Sequence, residues 1–329
     1  MGYRFGRSLI VLLCFCISAP FFYLQFLSPG CSKSSKVCEP CRSSTKTPKL
    51  SQHRYLLLIV IITGPNQAKE RSTMRQTWLS KININRSEIE WKFVMGTMGA
   101  TRDQIDELRA ENAENDDLIL FENFAEGYTK LTEKMLHTLT WASKSINFDY
   151  LFKADDDTFA RLPLLVKALR GRGHRKPPRR FYWGFFDGRA AVKKSGKWKE
   201  SDWFLCDRYL PHALGGGYVL SFDLVDFIAR NRDLLQVYSN EDVAVGTWLA
   251  GLDIERWHDR RFDTEYKSRG CHESFIVTHK QSIDDMKSKQ RSLVDRGKLC
   301  DKETLVRPSY EYDWKALPSQ CCQRNLPLP

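Results

Sequence analysis

The sequence predicts an α/β fold in which a Rossmann-like mixed sheet is flanked by helices. Two observations in the first half of the chain lead to this prediction. Apolar, β-branched runs recur along it, and segments with apolar residues at helical spacing separate them. Strands that alternate with helices in this way are typical of a wrapped α/β sheet.

The first strand is predicted at residues 55–63, a continuous apolar run that ends at Gly64-Pro65. A run without polar alternation indicates a strand buried on both faces, as in a parallel sheet. Further strands are predicted at 91–96, 117–121 and 150–154, and helices at 70–79, 101–111 and 128–146. Beyond about residue 175 the pattern becomes mixed, and we expect that half of the chain to form the acceptor side of the same domain, 55–329.

The first 54 residues are predicted to lie outside this domain. Arg4 and Arg7 precede an uncharged apolar run at 8–27, and about 20 such residues span a bilayer. The positive charge places residues 1–7 in the cytosol and the remainder in a lumen. Cleavage of a signal peptide before Pro20 is the alternative, although Pro is unfavourable after a cut. The Ser, Lys, Thr and Pro content of 28–54 predicts a stem.

Composition and the predicted membrane anchor disfavour two classes of protein, disordered chains and nucleic-acid-binding modules. The 42% hydrophobic content of the 329 residues is too high for a disordered chain. The net charge of +11 suits polyanions, but the predicted anchor and the lack of a basic helix or zinc spacing disfavour nucleic acid. We therefore expect no nucleic-acid partner.

The cysteines and a glycosylation motif fit an oxidising lumen. Eight cysteines follow the apolar run, and disulfides form in such compartments. The Cys38–Cys41 pair follows no strand, so a redox role is not expected. We expect the tail pair Cys321-Cys322 to staple the C-terminus to the domain. Asn85 begins the sequon Asn85-Arg86-Ser87, which predicts N-glycosylation on a surface loop.

Three consecutive carboxylates follow the fourth predicted strand: Asp155, Asp156 and Asp157. In open α/β sheets, ligands bind at the carboxyl ends of strands. Adjacent carboxylates repel one another without a cation, and oxygen ligands suit Mn²⁺ or Mg²⁺. Asp155 and Asp157 are alternate residues and point the same way in an extended segment. The alternative is a polar turn that caps the helix beginning at Leu162.

Other segments are weaker candidates. The run Gly215-Gly216-Gly217 allows close backbone approach and predicts a loop that lines a cleft, although such turns are common. Glu241 and Asp242 begin a predicted helix, where acids also favour the helix dipole. His279 ends a predicted strand at 275–279, and a lone histidine is more often structural. Arg71 and Arg75 lie four apart on one helix, where they either reach an anionic donor or brace acidic neighbours.

Taken together, these segments resemble the β-1,3-glycosyltransferase family, which includes β-1,3-galactosyltransferases, β-1,3-N-acetylglucosaminyltransferases and fringe-like enzymes. The matching order and spacing extend over roughly residues 55–285. The motifs are Arg71-x-x-x-Arg75-x-Thr77-Trp78, Lys153-Ala154-Asp155-Asp156-Asp157, the Gly-rich 215–221 segment and Glu241-Asp242-Val243.

Further segments look like the family members that add galactose to the glycosaminoglycan linker of proteoglycans. These segments are 182–186, 261–266, 268–271, 278–282 and 318–324. This resemblance implies UDP-galactose as the donor and Gal-β1,4-Xyl on proteoglycan core proteins as the acceptor. One departure is Lys130, where relatives usually have Asn before Leu-Thr, which removes a possible glycan site.

The resemblance also implies a GT-A fold, a single-pass type II location in the Golgi membrane, and an inverting reaction. It makes Asp242 the catalytic base and Mn²⁺ the cofactor. The alternatives are a β-1,3-N-acetylglucosaminyltransferase on the same fold and a non-catalytic lumenal carbohydrate-binding protein. The implied site residues are Asp155, Asp157 and His279 for the metal, with a diphosphate contact as the alternative for His279; Arg71, Arg75, Asp155, Asp156 and Asp157 for the donor; and Trp183, Gly215, Gly216, Gly217 and Glu241 for the sugar cleft.

Overall fold

A computed structural model describes residues 53–80, 85–172 and 180–329. Strands and helices alternate up to the fourth strand, as the sequence predicts. The strands are β1 (Arg54–Ile62), β2 (Ile89–Gly96), β3 (Leu118–Phe121), β4 (Asn147–Asp155), β5 (Phe159–Ala160), β6 (Phe181–Asp187), β7 (His212–Ser221), β8 (Glu255–His258), β9 (Phe262–Asp263), β10 (Gly270–Cys271), β11 (Val277–Thr278) and β12 (Thr304–Leu305). The α-helices are α1 (Ala68–Gln76), α2 (Arg102–Asn115), α3 (Leu131–Ser145), α4 (Leu162–Gly171), α5 (Phe222–Asn231), α6 (Glu241–Trp248) and α7 (Ile283–Arg296).

The central sheet has seven strands in the order β3-β2-β1-β4-β7-β6-β8. The first four of these strands are parallel, and β7 runs antiparallel to both β4 and β6. The predicted α/β class with a mixed sheet is therefore confirmed. Residues 57–61 of β1 have no exposed surface, which explains why this strand is apolar without alternation.

Two smaller sheets follow from the second half of the chain. The first has the order β5-β11-β9, and the second pairs β10 with β12. The first matters for the site because β11 ends directly before His279. The predicted strand at 275–279 is thus real but shorter, since regular pairing covers Val277 and Thr278 alone.

Some predicted elements change in extent. The predicted helix at 128–146 is a 3₁₀ turn, Tyr128–Lys130, followed by α3. The predicted glycine-rich loop at 215–217 is wrong in kind: these residues lie within β7 and pair with β4 through Gly217 and Ala154. Their missing side chains serve packing against the sheet's neighbours, as described below.

The predicted cytosolic tail, the membrane anchor and the stem up to residue 52 lie outside the described residues. Across the described ranges, no helix combines the length and apolar character that crossing a membrane requires.

Two disulfides occur in the described part of the chain. Cys271 is bonded to Cys300, which ties β10 to the segment after α7. Cys321 and Cys322 are bonded to each other, so the expectation that this pair staples the tail to the rest of the domain is wrong. The tail is held instead by polar contacts, which include an ion pair between Arg324 and the buried Glu265.

Candidate active site

The candidate site begins at the carboxyl end of β4, whose last residue is Asp155. Lys153 precedes it by two residues, so both side chains lie on one face of the strand. The Lys153 ammonium donates to Asp155 Oδ1 over 2.6 Å and lies 3.3 Å from Glu241 Oε2. Burial lowers the pKa of Lys153, but the charges of these two acids outweigh it and hold the pKa above its usual value.

The small β5-β11-β9 sheet delivers His279 to these carboxylates. Its Nε2 lies 2.9 Å from Asp157 Oδ1 and 3.4 Å from Asp155 Oδ2. Burial lowers the pKa of His279, but contacts with the two carboxylates more than offset it and raise the pKa to about 9. The two carboxylates thus favour the imidazolium form of His279. Burial raises the pKa of Asp155, but Lys153 and His279 outweigh it and lower the pKa below its usual value.

The donor set of Asp155, Asp157 and His279 fits a divalent transition metal. Each residue offers one ligand atom, and these atoms all lie within 4.8 Å of one another. Asp157 Oδ1 is buried and accepts no hydrogen bond of regular geometry from the described residues, so a lone pair is available to a cation. Two carboxylates and one imidazole are ligands that manganese accepts. Binding a metal requires that the imidazolium lose its proton.

Asp156 does not join this triad. Burial, together with the neighbouring charges of Asp155 and Asp157, raises the pKa of Asp156 to about 6. The structure thus brings together the two outer carboxylates, as their alternating positions predict, and leaves the middle one apart.

The three glycines allow β7 to pack closely against the triad. A Cβ on Gly216 would lie 2.4 Å from Cγ of His279, and one on Gly217 would lie 3.0 Å from Cγ1 of Val277. A contact under 3.0 Å is essentially never seen for a real Cβ. Gly216 is therefore required for the position of the His279 ring.

Asp242 lies in the first turn of α6, whose N-cap is Asn240. Its Oδ2 accepts from the backbone N–H of Gly215 over 2.9 Å, and its Oδ1 accepts from that of Val243 over 2.9 Å. Gly215 also accepts from the Lys153 ammonium through its carbonyl. One residue of β7 therefore joins the half-buried Asp242 to the end of β4, so that these two predicted groups lie beside each other.

Glu241 is placed differently from the prediction. Its side chain is buried, accepts from the Tyr218 hydroxyl and lies near Lys153. It is therefore behind the carboxylates and is not open to a sugar, so its assignment to the sugar cleft is wrong. Sequence reasoning missed Lys153 and Tyr218. The spacing of Lys153 from Asp155 on one strand face was a usable signal, whereas nothing local marked Tyr218.

Trp183 is also not in a sugar cleft. Its side chain has no exposed surface and stacks on Trp257 with ring centroids 4.9 Å apart. Its indole N–H donates to Asp259 Oδ2 over 3.0 Å. The prediction of sugar stacking is wrong because all faces of the ring are used inside the protein.

The two arginines of α1 brace acidic neighbours, which is the alternative to donor binding. Arg71 is fully buried and donates to Glu111 and to the carbonyl of Gly64. Arg75 pairs with both Glu111 and Asp117. Their guanidinium groups are committed to α2 and the start of β3, so the assignment to the donor is wrong.

Elsewhere on the surface, Asn85 is exposed, as expected of a glycosylation site.

The fold and the site define a class of enzyme: an α/β protein with a candidate divalent-metal centre at a strand end and a separately held carboxylate beside it. The chain belongs to the galactosyltransferase family, whose family model matches residues 69–260. It is a glycosyltransferase and uses a nucleotide sugar and a glycan acceptor.

Individual relatives agree with this family. The chain is 45% identical to mouse "Beta-1,3-galactosyltransferase 6" over 295 residues, covering 88% of this chain and 90% of the relative. It is 31% identical to "Probable beta-1,3-galactosyltransferase 1" of Arabidopsis thaliana over 220 residues, covering 64% of this chain and 56% of the relative. It is also 31% identical to mouse "UDP-GalNAc:beta-1,3-N-acetylgalactosaminyltransferase 2" over 201 residues, covering 61% and 38% respectively.

Among solved structures, a mannosyltransferase from Pyrobaculum calidifontis in complex with GDP-Man and Mn²⁺ matches with a TM-score of 0.37 and 10% identity, covering 65% of this chain and 58% of that one. The apo structure of the bifunctional glycosyltransferase WbbM matches with a TM-score of 0.38 and 11% identity, covering 63% and 39%.

Proposed function

We propose that this chain is an inverting β-1,3-galactosyltransferase that moves galactose from UDP-galactose to Gal-β1,4-Xyl on proteoglycan core proteins. The observation that carries the proposal is the meeting of Asp242 and the Asp155–Asp157–His279 triad around Gly215. The 45% identity to a β-1,3-galactosyltransferase supports the reaction type. The segments that resemble linker enzymes, such as 318–324, support the acceptor.

Asp155, Asp157 and His279 would hold Mn²⁺ in this proposal, and the nucleotide diphosphate would bind at the same end of β4. When bound, Mn²⁺ supplies the positive charge that neutralises a departing diphosphate, so the leaving group needs no proton. Lys153 keeps Asp155 ionised and oriented through its 2.6 Å hydrogen bond. Gly216 and Gly217 allow β7 and His279 to close on this end of β4.

Asp242 is the catalytic base. Two backbone N–H groups fix its carboxylate, and each oxygen keeps a further lone pair for a proton. The acceptor 3-hydroxyl loses its proton to Asp242, its oxygen bonds to the anomeric carbon, and the bond from that carbon to UDP breaks. One in-line displacement of this kind converts an α-linked donor into a β-linked product, by the logic of inverting glycosidases.

The proposed enzyme has a GT-A fold and is a type II protein of the Golgi membrane. Residues 1–7 form its cytosolic tail, 8–27 its membrane anchor and 28–54 its stem, and 55–329 form the lumenal catalytic domain. An exposed sequon at Asn85 suits a lumenal surface. In this compartment the substrates are UDP-galactose and core proteins that already carry galactosyl-xylose.

The test is incubation of the purified protein with Mn²⁺, Gal-β1,4-Xyl-aglycone and either UDP-galactose or UDP-N-acetylglucosamine, followed by linkage analysis. A β-1,3-linked galactose product is expected. Transfer of N-acetylglucosamine instead would identify the other branch of the family, and binding without turnover would indicate a carbohydrate-binding protein.

Asp242→Asn tests the role of the base. We expect turnover to fall by about two to four orders of magnitude, the usual contribution of a general base, while UDP binding stays close to that of the wild type. Because the Asn amide nitrogen cannot accept one of the two backbone hydrogen bonds, the free energy of unfolding should fall by about 1–3 kcal/mol. Asp253→Asn is the matched control because the Asp253 side chain is 93% exposed. Near-normal turnover of Asp242→Asn removes Asp242 from the role.

A further inference from the structure

Two exposed aromatic residues lie next to the candidate site without a role in the chemistry above. Trp198, in the connection between β6 and β7, is 43% exposed, and Tyr128, in the turn before α3, is 39% exposed. Large aromatic side chains are usually buried, and an exposed group of them next to a site indicates a binding surface. The two rings are therefore candidates for contact with a ligand of the site.

The backbone of the segment that carries Trp198 is anchored to the residues just before α6. Glu200 is 3% exposed, and its carboxylate accepts from the backbone N–H of Ser239 over 2.7 Å. The Asn240 side-chain amide donates to the Trp198 carbonyl over 3.2 Å. Asn240 is the N-cap of α6 and Asp242 follows it by two residues, so the segment that carries Trp198 is fastened to the helix end that carries the proposed base.

Tyr128 lies against the same region. The Lys197 ammonium lies 4.3 Å from the centre of its ring, and the Trp198 side chain is a hydrogen-bonding neighbour of its hydroxyl. Burial and then the charge of Asp242 raise the pKa of Tyr128, and the charges of Asp155 and Lys153 also act on it. Tyr128 is therefore within electrostatic reach of both halves of the site.

We propose that Trp198 and Tyr128 form the subsite for the acceptor galactose, with the Trp198 ring stacked on the sugar whose 3-hydroxyl faces Asp242. This inference rests on the proposed function. The acceptor is the sugar concerned because Trp198 is fastened to the Asp242 side through Asn240 and Glu200, whereas the diphosphate belongs at the Asp155–Asp157 end. One face of β-galactose carries C–H groups alone, and an indole offers a rigid apolar surface to such a face at low entropic cost.

Kinetics with separate substrates test the subsite. Trp198→Ala is expected to raise the KM for Gal-β1,4-Xyl-aglycone about tenfold, which corresponds to the loss of one aromatic contact, with the KM for UDP-galactose unchanged. Trp198→Phe should keep most of the affinity because it retains a ring. Phe204→Ala is the matched control, since Phe204 is 76% exposed in the same connection and lies beyond the Glu200 anchor.

A binding measurement separates this inference from the proposed function. Saturation-transfer NMR with methyl β-galactoside in the presence of UDP should show transfer from the wild type and its loss in Trp198→Ala. If the wild type forms no galactosylated product but still gives this signal, the proposed function fails and the subsite stands. An unchanged acceptor KM in Trp198→Ala, a rise confined to UDP-galactose, or an equal effect of Phe204→Ala overturns the subsite.

Discussion

Gly216→Ala is the substitution for which the structure makes the sharpest prediction. The added Cβ would lie 2.4 Å from Cγ and 2.5 Å from Nδ1 of His279. The ring cannot remain in place, because ordinary contact begins at 3.4 Å. The strand is equally constrained, since β7 is paired to both β4 and β6.

The size of the effect follows from these distances. Restoring ordinary contact requires a displacement of the ring by about 1 Å, whereas metal–ligand distances tolerate about 0.2 Å. Metal affinity should fall by about 10–100-fold, the range seen when ligand support is disturbed. Overpacking should also lower the free energy of unfolding by about 1–3 kcal/mol.

The assay is the Mn²⁺ concentration that half-activates galactose transfer, measured beside urea unfolding. Gly251→Ala is the control, because a Cβ there meets nothing within 4 Å. A folded Gly216→Ala protein with unchanged half-activation would falsify the assignment of His279 to the metal. Loss of stability alone would show that the contact between Gly216 and His279 is merely structural.

Three other predictions concern metal, charge and pH. EDTA should abolish transfer and added Mn²⁺ should restore it; activity that persists in EDTA would contradict the metal site. Arg71→Ala should lower the free energy of unfolding by about 1–3 kcal/mol, because the Gly64 carbonyl loses its donor and Glu111 keeps Arg75 alone of its two arginines, while the KM for UDP-galactose stays unchanged in the folded fraction. Burial lowers the pKa of His258 to about 4, which is below its value in the unfolded chain. Because the unfolded chain therefore binds the proton first, the free energy of unfolding should fall by about 3 kcal/mol as the pH drops from about 6.5 to 4. His258→Gln should remove that part of the urea-midpoint dependence; an unaltered profile would contradict this reasoning.

The neutral state of His258 has a clear structural cause. Its Nδ1 accepts from the Phe186 backbone N–H over 3.1 Å, and its Nε2 lies 2.9 Å from the Tyr310 carbonyl. The tautomer with the proton on Nε2 satisfies both contacts. Protonation of Nδ1 would replace the acceptor by a second donor facing Phe186, so the buried ring resists it.

The sequence predicted the parts of the fold that depend on local pattern. The continuous apolar run at 55–63 gave β1 within a residue at each end, because a strand buried on both faces has no polar positions. Asp155 and Asp157 were placed correctly relative to each other because side chains alternate along extended backbone. The carboxyl end of a strand then put them at the ligand-binding edge.

The wrong assignments of site residues share a physical cause: these side chains contact partners that lie far along the chain, and no local pattern indicates such contacts. Arg71 and Arg75 found Glu111, some forty positions away, and nothing in their own helix indicates that pairing. Trp183 found Trp257 across the β6–β8 ladder. The glycines of β7 were predicted to form a loop that lines a cleft, whereas Gly216 leaves room for the ring of His279, which follows a strand of another sheet. The type of a residue limits the contacts that its side chain can make, and packing in the folded chain determines which of these contacts it makes.

Gly215 contacts both the proposed base and the lysine beside the proposed metal site, one from each side of its α-carbon. Its amide holds Asp242, and its carbonyl holds the lysine that steadies Asp155. A rotation about φ or ψ of Gly215 changes the direction of its amide relative to its carbonyl, so the contacts to Asp242 and to Lys153 keep their geometry at one backbone conformation. Substitutions at this position should consequently impair proton removal and metal affinity in step, and improving one independently of the other requires changes elsewhere.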